Sequence, residues 1–410
     1  MLDSLFKLGV AVRRLRSSPF GPWLDALTDW MADLGYTPWS RRSCAVLVAD
    51  LGRWTANIGK TVHALDESVI AAYVEKRKTQ RERRGDAALL FLRYLRTEGV
   101  AAPRPQKRDR SPITACLRHY EQHLRRERGA CDGTVQGYTA VVRDFLCGRF
   151  GDGPVDLRKI RAEDTQRYIL DHARLSPRRV GFLGCALRSF TRFLFARGRT
   201  ASDLSAGIIV PRTVRLSTVP KYLLAQDVEK LLCSCDLRIP AGRRNHAILL
   251  LLARLGLRAG EVARLEIGDI RWRSGEIVVR GKGNKIDRLP LLKEVGRALA
   301  LYLVKDRPRS SSRRLFFRTF APVRPLAGRE AISCVVRRSL ENAGLHPPVR
   351  GAHLLRHSLG TRMIRGGASM AEVGEVLRHH SSGTAEIYAK VDFEALRTLA
   401  QPWPLAGGPR

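Results

Sequence analysis

The stretch Leu377–Tyr388, with the sequence LRHHSSGTAEIY, ends on a tyrosine that follows two adjacent histidines. Upstream of it, residues 353–357 read HLLRH, which places His353 and Arg356 at i and i+3, one helical turn apart. A tyrosine can act as a nucleophile, and arginine and histidine side chains can stabilise or protonate phosphate oxygens. The pattern therefore indicates chemistry on a phosphodiester that needs no metal ion.

A second arginine that could belong to this set lies further upstream, in the sequence LGLRAGE of residues 255–261. The apolar run before it predicts a buried helix over residues 243–255, and Gly256 stands where that helix would break. Another helix is predicted over residues 261–265. Arg258 then lies in the connection, and Glu261 follows it by three positions, where it could orient active-site side chains or form an ordinary helix salt bridge.

A lysine could complete the set. Lys282 lies in the sequence GKGNK of residues 281–285, between two short stretches that contain isoleucine, valine and leucine, Glu276–Arg280 and Ile286–Leu291. Short apolar stretches of this kind predict two strands, and the glycine-rich segment predicts the turn that joins them. A lysine at the tip of such a hairpin is often only solvated, but it could also reach into a groove of DNA.

The charge of the chain favours a polyanionic partner. Its 410 residues include 73 lysines and arginines against 39 acidic residues, a formal charge of +34. A GC-rich genome could explain the 60 arginines against 13 lysines, but not the net excess of cations. Nucleic acid is the first candidate, with ribosomal or membrane-surface binding as alternatives. The 44% hydrophobic content provides for packed cores and excludes global disorder.

Several other classes of protein find no support in the sequence. The eight cysteines are scattered without pairs of zinc-site spacing, which predicts reduced, mostly buried thiols in a cytosolic protein. The longest apolar run, residues 247–253, is too short to cross a bilayer, and no signal peptide is recognisable at the N-terminus. We therefore expect a cytoplasmic protein without a membrane span, a metal or a cofactor.

The first half of the chain is predicted to be helical and duplicated. Pairing Gly35 with Gly129 and Tyr73 with Tyr168, among others, needs offsets of only 94 to 99 residues. The alternative is that any two helical bundles share such spacing. Proline-rich and charged segments at residues 101–112 and 210–220 predict a linker and an extended connector.

Taken together, these motifs resemble the tyrosine recombinase or phage integrase family, which includes the Xer recombinases and the integrases of phages and transposons. The resemblance covers about residues 112–400. Six positions of the family pattern are filled in order: Arg258, Lys282, His353, Arg356, His379 and Tyr388. His380 offers an alternative register, but the nine-residue step to the tyrosine favours His379. Two positions depart from the family pattern, Leu255 where threonine is common and Arg378 where glycine is common, and neither is expected to touch a reacting group.

The resemblance implies a role for each of the six. Arg258 and Arg356 would clamp the scissile phosphate, and His353 would help to move the proton of the nucleophile. His379 would donate to a phosphate oxygen, and Lys282 would protonate the leaving 5′ oxygen. Tyr388 would form a 3′-phosphotyrosine that stores the bond energy, so religation would need neither ATP nor metal.

The resemblance also implies the architecture. We expect a mostly α-helical protein with a small β-sheet, in which helical core-binding domains precede an α+β catalytic domain. The expected domains are residues 1–105, a possible duplicate of the core-binding domain; residues 112–208, the core-binding domain; and residues 220–405, the catalytic domain.

The expected partner is double-stranded DNA, bound on synapsed sites by a homo-tetramer or by a tetramer that includes related recombinases. An apolar face on residues 393–400 would dock on a neighbouring protomer or fold back on its own domain. The favoured role is recombination for a mobile element or integrated phage. The alternatives are a host Xer-like chromosome-dimer resolvase and a non-catalytic DNA-binding regulator of the same fold. A type IB topoisomerase would share the chemistry but usually carries other domain signals.

Overall fold

A computed structural model gives the fold of most of the chain. It describes residues 2–76, 81–103, 111–151, 153–211, 220–281, 285–378, 386–391 and 397, with the backbone alone for residues 81–84 and 391. By their contacts the residues form two units, one made of residues 1–104 and 218–410 and the other of residues 105–217.

The N-terminal part of the first unit is helical. After a short 3-10 helix at Leu2–Ser4 come α1 (Gly9–Arg16), α2 (Gly21–Asp33), α3 (Pro38–Asn57), α4 (Glu67–Lys76) and α5 (Arg81–Thr97), with a second 3-10 turn at Val62–Ala64. The start of α3 follows from two residues. Pro38 suits the first turn, and the Thr37 hydroxyl accepts a hydrogen bond from the Ser40 N–H at 3.2 Å.

The second unit, residues 105–217, repeats this order of helices. It comprises α6 (Pro112–Gln122), which continues as a π-helical turn at His123–Glu127, then α7 (Asp132–Phe150), α8 (Ala162–Asp171) and α9 (Pro177–Ala196), with 3-10 turns at Leu157–Lys159 and Leu204–Gly207. Ser111 caps α6 as Thr37 caps α3, since its hydroxyl accepts from the Thr114 N–H at 3.2 Å.

Each of the two helical parts contains a tyrosine–aspartate hydrogen bond at an equivalent place. The Tyr73 hydroxyl donates to Asp50 at 2.7 Å in the N-terminal part, and the Tyr168 hydroxyl donates to Asp144 at 2.7 Å in the second unit. In both cases a tyrosine on the shorter helix that follows a 3-10 turn reaches an aspartate on the preceding long helix. A duplication, as predicted from the sequence, would account for this equivalence.

The remaining residues form a helical domain with one small sheet. Its helices are α10 (Ala225–Cys233), α11 (Pro240–Arg254), α12 (Ala259–Arg264), α13 (Lys293–Lys305), α14 (Gly328–Asn342), α15 (Ala352–Arg365) and α16 (Met370–Val376), with 3-10 turns at Ile267–Asp269 and Glu386–Val391. The helix predicted over residues 243–255 starts earlier, at Pro240, because proline is favoured in a first turn.

The sheet is antiparallel, in the order β1 (Ile270–Arg271), β2 (Glu276–Arg280) and β3 (Ile286–Pro290). The two predicted strands are present, and β1 was missed because two residues carry too little pattern. Val279 pairs with Asp287, next to the turn that joins β2 to β3. The strongly apolar α11 lies at the centre of the core of this domain.

The cysteine prediction was wrong in one respect. All eight are free, but Cys44 alone is buried; three are half-buried, and four are exposed, namely Cys131, Cys147, Cys185 and Cys233. Within the described parts of the chain no helix is long and apolar enough to span a bilayer. No group of three histidine, cysteine or acidic residues in those parts is arranged to hold a metal ion.

The shared tyrosine–aspartate bond predicts unequal losses of stability. Tyr73→Phe should lower the free energy of unfolding by about 1–2 kcal/mol, because the Tyr73 ring is fully buried, and Tyr168→Phe by about 0.5–1 kcal/mol, because Tyr168 is partly exposed. Tyr138→Phe serves as a control, since the Tyr138 hydroxyl makes no hydrogen bond to the described residues. Scanning calorimetry of the three variants measures the effect; equal values for all three would contradict it.

Candidate active site

The first part of the site is the sharp connection between α11 and α12. Gly256 has φ +58°, a left-handed conformation that favours glycine, and an added Cβ would lie 2.6 Å from a methyl carbon of Leu377. Glycine therefore allows α11 to end here and Leu377 to pack closely. Arg258 follows two residues later, as the residue that precedes and caps α12.

Arg258 is held by a buried carboxylate. Glu261, in the first turn of α12, accepts from the backbone N–H of Arg258 at 2.8 Å and from its guanidinium Nη1 at 2.8 Å. The side chain of Glu261 is 2% exposed, whereas that of Arg258 is 32% exposed. A buried charge needs partners of opposite sign, so Glu261 fixes the orientation of the partly exposed Arg258 guanidinium.

Helix α15 supplies the second arginine. Arg356 is buried, and its guanidinium donates to the backbone carbonyls of Gly256 and Leu377. Burial, together with the like charges of Arg258 and Arg378, lowers the pKa of Arg356 to about 10. The group thus stays cationic at neutral pH. His353, three positions earlier on the helix, is exposed.

Tyr388 lies in the 3-10 turn at Glu386–Val391 and packs against α15. Its ring is fully buried, and its hydroxyl lies 3.0 Å from Nδ1 of His357. Gly360 makes this packing possible, because a Cβ there would lie 2.6 Å from Cζ of Tyr388. The absence of a side chain at Gly360 therefore lets the tyrosine ring pack directly against α15.

Two pKa shifts describe the environment of this pair. Burial raises the pKa of Tyr388 to about 12, against the opposing effect of the nearby Arg356 charge. Burial lowers the pKa of His357 to about 4, helped by the charges of His353 and Arg356. The tyrosine is therefore a neutral phenol and the histidine a neutral imidazole at pH 7.

The structure brings together most of the predicted set that it describes. Arg258, Arg356 and Tyr388 come from different segments. Arg258 and Tyr388 are close enough to Arg356 for their charges to affect its pKa. His353 is near the pair as well, with its ring centroid 6.2 Å from that of His357. Lys282 and His379, its alternative His380, and the apolar face of residues 393–400 lie outside the described residues.

Three residues of the site were missed in the sequence. His357 and Gly360 share a face of α15 with His353 and Arg356, so the helical period could have identified them. Arg378 was noted only as a departure from the family pattern, and the expectation that it stays away from reacting groups understated its contacts. Its backbone carbonyl accepts from Arg258 at 3.3 Å, and its guanidinium contacts Glu261 at 2.7 Å.

Comparison with known sequences settles the family. The sequence profile of the phage integrase family matches residues 221–395. The putative integrase/recombinase y4rA of Sinorhizobium fredii is 40% identical over 398 residues, which cover 96% of this chain and 97% of that protein. The chain belongs to the phage integrase family of tyrosine recombinases. The family expected from the motifs is thereby confirmed.

Other relatives of this tyrosine recombinase differ in how much of it they match. The tyrosine recombinase XerD of Mycobacterium tuberculosis (strain H37Rv) is 30% identical over 298 residues, covering 69% of this chain and 95% of that protein. The crystal structure of the XerH site-specific recombinase bound to difH substrate shares the fold, with a TM-score of 0.51 and 21% identity, covering 76% of this chain and 94% of that one. The expected fold class, mostly helical with a small sheet, is confirmed.

The His357–Tyr388 pair predicts a specific dependence of stability on pH. The folded-state pKa of His357 lies below its value in an unfolded chain, so the unfolded state takes up the extra proton as the pH falls from about 6.5 to about 4. Between pH 6.5 and pH 4 the unfolding free energy of the wild type should therefore fall by about 1 kcal/mol more than that of His357→Gln, after allowance for solvent screening.

Urea unfolding of the wild type and His357→Gln at pH 6.5, 5.5 and 4.5 measures this difference. His119→Gln, at an exposed position of α6, controls for the loss of an imidazole. A difference between the wild type and His357→Gln that stays constant with pH would show that His357 is not held neutral by the fold.

Proposed function

We propose that this tyrosine recombinase cuts and rejoins duplex DNA at specific sites through a 3′-phosphotyrosine at Tyr388, without metal or ATP. The observation that carries the proposal is the convergence of Tyr388 and two arginines, Arg258 and Arg356, from three separate segments on one buried cluster. A tyrosine surrounded by cations suits attack on a phosphate, because the cations stabilise the negative charge of both the phenolate and the transition state.

The proposed reaction is a direct exchange of one phosphoester for another. The Tyr388 oxygen attacks the scissile phosphorus, a Tyr–O–P bond forms, and the bond from phosphorus to the 5′ oxygen breaks. Lys282 gives its proton to the leaving 5′ oxygen, His353 helps to take the proton of the phenol, and His379 donates to a non-bridging oxygen. Arg258 and Arg356 bind the non-bridging oxygens, a task suited to a planar guanidinium. Attack by the free 5′ hydroxyl reverses the step.

The resting arrangement requires a change before cleavage. Tyr388 is fully buried against Gly360 and bonded to His357, and the guanidinium of Arg356 is bonded to two backbone carbonyls. A DNA phosphate must displace these internal partners to reach either group. We infer that DNA binding moves the segment that carries Tyr388. The resting position of Tyr388 would then restrain cleavage until the DNA is in place.

DNA is the proposed partner because the chain is strongly positive and because structures with the same fold are complexes with DNA. The formal charge of +34 provides the long-range attraction that binding to a polyphosphate needs. The XerH structure is that of a complex with its difH substrate, and another structure with the same fold is the Tn1549 transposon integrase in complex with a circular intermediate DNA, at a TM-score of 0.51.

We infer three domains, with residues 1–105 as a second copy of the core-binding domain of residues 112–208 and residues 220–405 as the catalytic domain. Separate hydrophobic clusters within residues 2–101, 113–208 and 223–355 support this division, as does the repeated tyrosine–aspartate bond. The second copy would lengthen the stretch of DNA that one protomer contacts.

The favoured biological role is recombination for a mobile element. Two putative integrase/recombinases of Sinorhizobium fredii, y4rA and y4rF, match 96% and 98% of this chain, whereas the XerD relative matches 69%. A host chromosome-dimer resolvase is therefore the second candidate, since a protein with that role would not need the additional N-terminal residues. In either case the protein would act in the cytoplasm.

Replacement of the nucleophile gives the direct test of the chemistry. Tyr388→Phe should bind target DNA with unchanged affinity but form no covalent complex on a nicked suicide substrate, and the wild type should form it in EDTA as readily as with Mg²⁺. Denaturing gels measure the complex, and Tyr138→Phe is the matched control. A covalent band in Tyr388→Phe, or loss of wild-type cleavage in EDTA with binding retained, would contradict the proposal.

The proposed assembly is a monomer in solution, a dimer on one site and a tetramer on two synapsed sites. Strand exchange between two duplexes needs four coordinated active sites, and a head-to-tail contact through residues 391–410 would close such a ring. Deletion of residues 391–410 should preserve binding to a single site and abolish the tetramer. Sedimentation with paired sites measures this; an undiminished tetramer would exclude the segment as the coupling element.

A further inference from the structure

Arg378 occupies a backbone conformation that arginine rarely adopts. Its φ is +53°. All the other residues with positive φ within the described parts of the chain are glycines. Left-handed backbone is unfavourable for a residue with a Cβ. The side chain is also 5% exposed, so this position combines strain with the burial of a charge. Both features need a compensating interaction.

The compensating interaction is the carboxylate that also holds Arg258. Oε2 of Glu261 accepts from Nη2 of Arg378 at 2.7 Å, while Oε1 accepts from Nη1 of Arg258 at 2.8 Å. The carbonyl of Arg378 accepts in turn from Nη2 of Arg258 at 3.3 Å. One buried anion is therefore shared by two cations.

Arg378 also reaches the hairpin of β2 and β3. Its Nε lies 3.7 Å from Oδ2 of Asp287, which is close to the turn that carries Lys282 in the sequence. Nε and Nη1 of Arg378 make no hydrogen bond to any described residue, although both are buried. The guanidinium thus lies between the Arg258–Glu261 pair and the hairpin, with donors that are not committed to either.

The site as a whole contains more positive than negative charge. Arg258, Arg356 and Arg378 are close enough to influence one another, and Glu261 is the buried anion among them. Without Arg378, Glu261 would have Arg258 as its main cation. Arg258 would then be drawn towards the carboxylate and away from a bound phosphate.

We propose that Arg378 is a positioning residue for DNA cleavage, which shares the Glu261 carboxylate with Arg258 and links this pair, through Asp287, to the hairpin that carries Lys282. The inference rests on the proposed function. It assigns to a departure from the family pattern a role in this chain that glycine could not fill, because glycine has no side chain to divide the charge of Glu261.

Arg378→Gly is the informative variant, because it removes the guanidinium and relieves the backbone strain at the same time. We expect the rate of covalent complex formation on a suicide substrate to fall by at least about tenfold, with the Kd for DNA within about twofold and a cooperative thermal unfolding transition that shows a folded protein. Arg378→Lys, which keeps a charge, should recover part of the rate. The matched control is Arg238→Gly, since the side chain of Arg238 is 90% exposed and pairs with Asp236.

A double variant tests whether Arg378 acts through Glu261. If an unshared carboxylate withdraws Arg258, then Glu261→Gln in the Arg378→Gly background should raise the cleavage rate above that of Arg378→Gly alone. Independent roles would instead make the two losses multiply. A further loss in the double variant, without recovery, would overturn the proposed route.

The outcomes separate this inference from the proposed function. If the wild type forms the covalent complex and Arg378→Gly forms it equally fast, the inference is wrong and the proposed function stands. If the wild type forms none, both fail. Should Arg378→Gly not fold, Asp287→Asn provides the second measurement: slower cleavage with normal binding supports the link to the hairpin, and an unchanged rate in both Asp287→Asn and Arg378→Lys overturns it.

Discussion

The active site depends on the burial of one carboxylate among guanidinium groups. Glu261 lies at the start of α12, where it bonds the backbone and side chain of Arg258 and the side chain of Arg378. Removing one partner from a buried ion pair costs about 3–5 kcal/mol, because the remaining charge is left buried and uncompensated. The buried carboxylate therefore fixes the position of Arg258 while part of that side chain stays exposed.

The same cluster bears on the position of Tyr388, the proposed nucleophile, in the resting fold. The turn that contains Leu377 and Arg378 gives its two carbonyls to Arg356 and Arg258, and it precedes the segment that leads to Tyr388. Tyr388 is seated on Gly360 with its hydroxyl against a neutral His357. Since the phenol is buried and its pKa is raised to about 12, its ionisation requires both movement and the approach of cations. A phosphate between the arginines would supply the driving force for both changes.

Much of this could be predicted from the sequence, because the informative patterns are local. The short apolar stretches in residues 276–280 and 286–290 and the spacing of His353 and Arg356 are each patterns within a single element. The family resemblance then joined elements that are far apart in sequence. For two of the three missed site residues, the decisive contact is one that a local pattern does not show. The position of His357 beside Tyr388 is a tertiary contact, and the contact of Arg378 with Glu261 follows from a left-handed turn that the residue type argues against. The burial of the cysteines was also mispredicted, since a small apolar thiol is tolerated on either side of a helix.

The residue that becomes attached to DNA identifies the nucleophile directly. Trypsin cleaves after Arg378 and after Lys390, which releases the peptide HHSSGTAEIYAK with Tyr388 as its single tyrosine. The covalent complex from a suicide substrate can be digested with trypsin and nuclease and analysed by tandem mass spectrometry. We expect a nucleotide linked through its 3′ phosphate to Tyr388 in this peptide. A nucleotide on any other residue, or one linked through a 5′ phosphate, would exclude Tyr388 as the proposed nucleophile.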